Sequence, residues 1–345
     1  MKTFIIPHRS PHHAANSGYD RLVSFISADQ IPSKPSKIPY RVAKAISKRV
    51  DQRYGIYDSN SVFKDYELGS SLLGHPKSHW LVHYLNAERD IRFVLQAKSW
   101  FQNARFVGSF HKPPAVLKAQ ITSTKYVKKL DGAIAVGLNQ VDFLKDWLGL
   151  DRVVYIPHGV DTGFFTPKDS PNRAPELLFV GQHLRDFEAF NYCVPLLAEK
   201  IKGLRVNVVL RPDFYHKVRP HPCVSLYSHV TDLELRNFYR QADMLFLPLL
   251  DATACNSVLE ALACGLPIVT TDAGGTKAYL KGTGNIVAPL GDLDYLIEAT
   301  VSVMKDFTTL QKMSESSRKA SLAYDWVPLA KEIEKFYTLI RQDYQ

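Results

Sequence analysis

The chain has 345 residues, of which 46% are apolar and 22% charged, the balance of a soluble globular protein long enough for two cores. No apolar run approaches the roughly 18 residues of a membrane-spanning helix, and Met1 to Ile6 is too short before Pro7-His8-Arg9 to be a secretory signal. The four cysteines (Cys193, Cys223, Cys255, Cys264) show no CxxC spacing and read as free thiols in a reducing compartment. The net charge of +9 favours anionic partners without choosing among nucleotide phosphates, an anionic membrane surface and nucleic acid.

Met1 to Ile6 reads as a first strand. A His-, Pro-, Asn- and Gly-containing loop follows, ending in Ser17-Gly18-Tyr19-Asp20, and then a helix over Arg21 to Ala28. Strand, Gly loop and helix open a Rossmann-like half, although the GxGxxG fingerprint of dinucleotide sites is absent. Residues 33–53 are basic: Lys34, Lys37, Arg41, Lys44, Lys48, Arg49 and Arg53 face Asp51 alone. Tyr40, Ala43, Ile46, Ser47 and Val50 fall on one helical face. Two readings stay open, a cationic helix lying on an anionic membrane and a surface helix with its apolar face turned inward.

Apolar runs at Trp80 to Leu85 and Arg105 to Phe110 each end in a polar cluster. Gly132 to Val136 is a further strand, Asn139 to Leu148 a helix, and Val153 to Ile156 a strand leading into Pro157-His158-Gly159-Val160-Asp161. Residues 166–176 carry three prolines and make the best linker. The pattern then restarts with Glu176 to Val180, Gly181-Gln182-His183-Leu184-Arg185-Asp186 and a helix. Strands at Arg205 to Leu210 and Val224 to Tyr227 precede a helix over Val230 to Gln241.

Met244 to Leu250 is an apolar run ending in a loop of small polar residues. A helix over Asn256 to Cys264 stops at Gly265-Leu266-Pro267, and Ile268 to Thr271 is the next strand. Asn256 and Ser257 are good N-cap residues, so free N–H groups and the positive helix end point into the loop, a ready anion site. Glu260 sits one turn further in, within reach of a ribose or sugar hydroxyl. The one DxD, Asp292-Leu293-Asp294, opens a helix after Pro289-Leu290-Gly291 and reads as an N-cap rather than a metal pair. The βαβ spacing gives an α/β protein of two doubly wound halves with a cleft between them. Their extents are 1–165 and 166–325.

Three ordered stretches carry a resemblance: Leu259 to Val269 (LEALACGLPIV), the Pro157 to Asp161 turn, and Val230 to Asp243 (VTDLELRNFYRQAD). Together they resemble family 4 glycosyltransferases, retaining enzymes of the GT-B fold. The likeness is good over 105–345 and weak over 1–104. It implies a nucleotide-diphosphosugar donor with no other cofactor and no metal. The leaving phosphate itself deprotonates the acceptor in a front-face mechanism, so no protein nucleophile is needed.

Carried over residue by residue, the resemblance places Glu260 at the ribose and the N–H groups of Asn256, Ser257 and Val258 at the β-phosphate. Gly181 ends a strand beside the donor, and Arg185 serves as the cation of the diphosphate and leaving group, with Arg211 a lesser candidate. Val230 belongs to the base pocket, Gly18 to the first-loop turn, and His111 sits beside the anomeric carbon. Two departures stand out. Gln182 occupies the family's Arg position, and Ala252 that of its first Glu, a duty that passes to Asp251. His83, Glu88 and Asp20 are weaker acceptor-side candidates.

The acceptor is a glycan or a lipid-linked molecule, as in cell-envelope or exopolysaccharide assembly on the cytoplasmic face, with 33–53 as a possible contact to an anionic membrane. The last helix, near 326–345, crosses back to the N-terminal domain. Nucleic acid is not expected, since no aromatic-basic platform or recognised module is present. The competing readings are a GT-B epimerase or hydrolase of the sugar nucleotide and a catalytically silent donor-binding paralogue.

Overall fold

A computed structural model describes residues 2–8, 16, 18–31, 37–168 and 175–342. The chain divides into two compact units. The first comprises 1–11, 19–157 and 327–345, and the second 12–18 and 158–326. The division at Pro157 and His158 lies eight residues before the boundary expected from the linker. Residues 169–174 of that linker, like Lys34 and Ser17, lie outside the described residues.

The first unit holds six parallel strands: β1 (Lys2–Ile6), β2 (Asp29–Gln30), β3 (Trp80–Tyr84), β4 (Ala104–Phe110), β5 (Gly132–Ala135) and β6 (Val153–Tyr155). Their order is β2-β1-β3-β4-β5-β6. β3 is buried along its whole length, as a parallel strand covered on both faces must be. The helix expected at Arg21 to Ala28 is instead a short 3-10 segment, Tyr19–Ser24. The chain straightens after it because Asp29 and Gln30 pair with Phe4 and Ile5 of β1.

The C-terminal helix, Trp326–Arg341, belongs to this unit from Val327 onward. Gly132 makes room for it, since a Cβ there would lie 2.6 Å from Ile340 and 2.8 Å from Phe336. Tyr337 Oη lies 2.6 Å from His83 Nδ1, and Arg341 donates to Thr3 Oγ1 at 2.6 Å.

The basic helix runs over Tyr40–Arg49. Its Ala43 is fully buried, and Ile46 and Val50 pack with Tyr57, Val62 and Phe63. The apolar stripe seen in the sequence therefore rests on protein, while Tyr40 and Val42 are exposed.

The second unit repeats the architecture with β7 (Glu176–Val180), β8 (Arg205–Val209), β9 (Val224–Tyr227), β10 (Met244–Leu247), β11 (Ile268–Thr271) and β12 (Ile286–Ala288). Their order, β12-β11-β10-β7-β8-β9, is that of a dinucleotide-binding Rossmann sheet, with the first strand central and the order reversing between β7 and β10. Ligands of such sheets bind outside the carboxyl ends of the strands at that reversal. Asp186 caps the helix after β7 (Phe187–Lys200), its carboxylate accepting from Ala189 N at 2.9 Å. Asp292 caps Leu293–Lys305 in the same way, accepting from Tyr295 N at 3.0 Å.

Candidate functional site

The loops after β7 and β10 are tied together at the reversal point of the second sheet. Leu250 N donates to Leu184 O at 2.9 Å, and Asp186 N to Pro248 O at 3.0 Å. The helix that follows, Asn256–Ala263, is capped one residue earlier than its sequence suggests. Cys255 is the N-cap and provides no side-chain cap bond, so Asn256 and Ser257 are the first two helical residues. Val258 N is spent on the Cys255 carbonyl at 3.0 Å. The N–H groups of Asn256 and Ser257 have no acceptor available within the helix.

Ser257 is committed to a different task. Its Oγ donates to the β7 carbonyl of Val180 at 3.3 Å and receives Arg185 Nη2 at 3.0 Å. Arg185 also donates from Nε to Val180 O at 2.9 Å and from Nη1 to His183 O at 3.1 Å. All its partners are neutral, and no carboxylate pairs with it among the described residues. The guanidinium lies over Gly181, where a Cβ would come within 2.9 Å of Nη2, and Gly181 has φ +88. Gly181, Arg185, Ser257 and the helix start are thus one construction with an uncompensated positive charge.

Glu260 lies at the base of this construction, 3% exposed, with Oε2 accepting from Tyr239 Oη at 2.6 Å. Burial beside that carboxylate pushes the Tyr239 phenol well above its usual value, so it stays a donor. Asp251 is half-buried, and its Oδ1 accepts from Ala252 N at 2.7 Å. Gly274, at φ +55, closes on this loop, and a Cβ there would overlap Asp251 Oδ1 and the Ala252 carbonyl. Ala252 itself is buried, and its carbonyl accepts from Gly275 N at 2.8 Å. Thr253 Oγ1, buried and without a hydrogen-bond partner among the described residues, went unnoticed in the sequence.

Val230 lines a cavity of about 360 Å³ with Tyr227, His229, Asn237 and Phe238. Its wall is an aromatic pair, Tyr227 and Phe238, with ring centroids 4.7 Å apart. Arg211 is exposed and stacks on Phe214 at 5.0 Å rather than joining Arg185. Gly18 belongs to the segment of 12–18 grouped with this unit, where Asn16 donates to Asp232 at 3.2 Å.

His111 lies in the first unit, just past β4. Its Nε2 donates to the Leu85 carbonyl at 2.6 Å, and its backbone N–H to Glu88 Oε1 at 3.1 Å. Burial holds the ring below the usual imidazole value. Glu88 is 1% exposed, with Oε2 unpartnered among the described residues. His83, placed on the acceptor side from sequence, is instead a core residue of β3 held between Tyr337 Oη and Ser109 Oγ (2.8 Å). Burial lowers it to about 3.

Around the reversal of the first sheet, between β1 and β3, the sequence missed a buried ion pair. Lys64 Nζ lies 2.9 Å from Asp90 Oδ2, and Ser61 Oγ donates to Asp90 Oδ1 at 2.8 Å. No cluster of three or more His, Cys, Asp or Glu placed to hold a metal occurs among the described residues. None of their helices is long and apolar enough to cross a membrane. All four cysteines are unpaired, and burial pushes the thiols of Cys193 and Cys264 up to about 12, far from reactive.

Residues 174–306 match the family described as glycosyl transferases group 1. The chain is 22% identical over 341 residues to the D-inositol 3-phosphate glycosyltransferase of Geodermatophilus obscurus, covering 90% of this chain and 72% of the relative. Sucrose-phosphate synthase of Thermosynechococcus elongatus is similar in structure, with a TM-score of 0.71 at 14% identity over 99% of this chain and 100% of that one. HepE of Anabaena, solved with UDP and glucose, follows at 0.68 and 11% identity over 98% and 100%. The two Rossmann-like units have the GT-B fold, and the matches support glycosyltransferase function.

Proposed function

We propose that the chain is a retaining, metal-independent glycosyltransferase of family 4 that moves a sugar from a nucleotide diphosphosugar to a glycan or lipid-linked acceptor. The observation that carries this reading is the uncompensated Arg185 guanidinium, bonded to Ser257 at the start of the Asn256–Ala263 helix. A diphosphate there receives a charge-assisted bond from Arg185 and the N–H groups of Asn256 and Ser257. As the glycosidic bond opens, negative charge grows on the leaving phosphate, and a fixed cation stabilises it by on the order of 3 kcal/mol. The leaving phosphate takes the acceptor's proton. Glu260, one oxygen fixed by Tyr239, is assigned to the ribose, and the cavity walled by Tyr227 and Phe238 to the base. His111, anchored to Leu85, is assigned to the sugar.

The likeness to a relative named for D-inositol 3-phosphate supports an acceptor carrying hydroxyls and an anionic group. Work on the cytoplasmic side of an envelope, with or without contact to an anionic membrane, fits the same reading. Incubation with UDP-, GDP- and ADP-sugars and an acceptor panel, followed by proton NMR of the anomeric signal, tests it. Retention of configuration is the expected result, and an inverted product contradicts it. His111→Ala is expected to cut transfer while leaving donor binding intact, and unchanged turnover removes His111 from the site.

One specific observation favours a second reading, a donor-binding chain without transferase activity. Ala252, where the family has a carboxylate, is buried with its carbonyl already bonded, and Gln182 replaces a cation. Tight nucleotide binding with no transfer to any acceptor supports that alternative.

A further inference from the structure

The first unit holds a second cavity, of about 550 Å³, lined by none of the donor-site residues assigned above but partly by the basic segment 33–53. One wall is the Tyr40–Arg49 helix, through Val42, Ala45 and Ile46; Phe93 stands among the other lining residues. Val42 and Phe93 are exposed, at 46% and 45%. The volume is that of a small-molecule site, and mostly apolar walls with a few convergent polar groups are how such sites are built.

Arg92 is the polar group that lines it. Arg92 is 3% exposed, yet among the described residues only Nη2 has a hydrogen bond, to the Gly55 carbonyl at 3.1 Å. Nε and Nη1 are buried without a partner among the described residues. The rest of its environment is aromatic: the guanidinium carbon lies 5.4, 5.1 and 5.8 Å from the rings of Tyr54, Tyr57 and Tyr126. Cation–π contacts offset part of the desolvation of a group that cannot lose its charge, but they leave two donors without acceptors. Asp51 is the one carboxylate among the lining residues, and it is held by Arg53, at 2.8 Å from Nε and 2.6 Å from Nη2. Arg41 and Arg49 add two exposed cations to the lining.

A buried cation with two unmet donors, beside an apolar cavity whose other charged residues are mainly cationic, calls for a ligand that brings both an anion and apolar surface. We propose that this cavity binds an anionic amphiphile, a carboxylate or phosphate monoester head on an apolar body. The head is held at the cationic side of the cavity, by the charge of Arg92 with Arg41 and Arg49, and the body lies against Val42, Ala45 and Ile46. A bilayer lipid and a soluble metabolite share this chemistry. The proposal is independent of the donor reading, since every diphosphate-binding residue assigned above lies in the second unit.

The test uses the full chain and decyl phosphate below its critical micelle concentration, measured by calorimetry, with decyl maltoside as the neutral-headed control. Saturable one-to-one binding of decyl phosphate is expected, and the maltoside should bind at least about tenfold more weakly. Arg92→Met, which keeps the apolar stem and removes the charge, should weaken binding by roughly 10–100-fold, the equivalent of charge-assisted hydrogen bonds. Ala45→Trp, on an exposed helical position, should obstruct the cavity and give a similar loss while leaving the melting temperature near that of the wild type.

A parallel arm measures sedimentation with phosphatidylcholine vesicles with and without phosphatidic acid. Retention that needs phosphatidic acid and is lost in Arg92→Met assigns the head to a bilayer lipid. Binding of the monomer without vesicle retention assigns it to a soluble amphiphile. Equal affinity for phosphate and maltoside heads, undiminished binding by Arg92→Met, or no saturable binding in either arm overturns the proposal.

Discussion

The reversal points of the two sheets handle charge in opposite ways. In the second unit, Arg185 has three neutral partners and stands beside a helix start, so the positive charge is left for a ligand. In the first unit, Lys64 is closed on Asp90 at 2.9 Å and Arg89 on Asp58 at 2.7 Å, and His8 Nδ1 lies 3.9 Å from Asp90. Burial, with Lys64 and Arg89 nearby, drives His8 down to about 3, so it stays neutral. One point is built to attract an anion and the other is balanced before any ligand arrives. The same α/β architecture thus carries an open cation at one sheet and closed ion pairs at the other.

The largest test of this contrast is on stability. Lys64→Met leaves Asp90 buried without its cation and should destabilise the fold by about 3–5 kcal/mol in urea denaturation. Arg185→Gln removes a charge that no carboxylate balances, and should cost far less. Similar losses for the two variants would erase the distinction.

On the ligand side, Glu260→Gln keeps an acceptor for Tyr239 but removes the charge. It should weaken nucleotide-sugar binding by about 1.5–3 kcal/mol in calorimetry. Unchanged affinity would remove Glu260 from the ribose.

The smallest effect is in pH. His83 is held near 3 by burial, well below the ordinary 6.5, so its contribution to stability is whole above pH 6.5 and is lost as pH falls toward 3. His8 acts in the same direction. Asp65, raised by burial to about 6, acts in the opposite direction, its contribution fading as pH rises from about 4 to 6. Between pH 6.5 and 4, wild type should lose stability more steeply than His83→Gln as pH falls. Parallel pH profiles for the two proteins would show that the imidazole is not held neutral.

Much of the architecture was legible because period and punctuation agree with it. Glu176–Val180, Val224–Tyr227 and Ile268–Thr271 fall where their apolar runs predict, and the Asp292 cap follows from its position before a helical run. The helix expected at Arg21 gives way to a 3-10 segment because its end is fixed by pairing of Asp29 and Gln30 with β1, a tertiary effect. Cys255 rather than Asn256 is the N-cap, and the Ser257 hydroxyl bonds β7 and Arg185 instead of its own helix.

The meeting of Arg185 with Ser257, 72 residues apart, was suggested only by a motif. The Lys64–Asp90 pair, 26 residues apart on two different helices, carries no local signal at all. Arg92 carries no local signal either, since its missing acceptors are a property of the packed structure.

Calorimetric titration of UDP, GDP and ADP into wild type and Arg185→Gln tests the central claim most directly. Saturable binding of one of these diphosphates, weakened by roughly 30-fold or more in the variant, is what an open cation at the second reversal point predicts. Equal affinities in the two proteins, or no binding of any of the three, would contradict it.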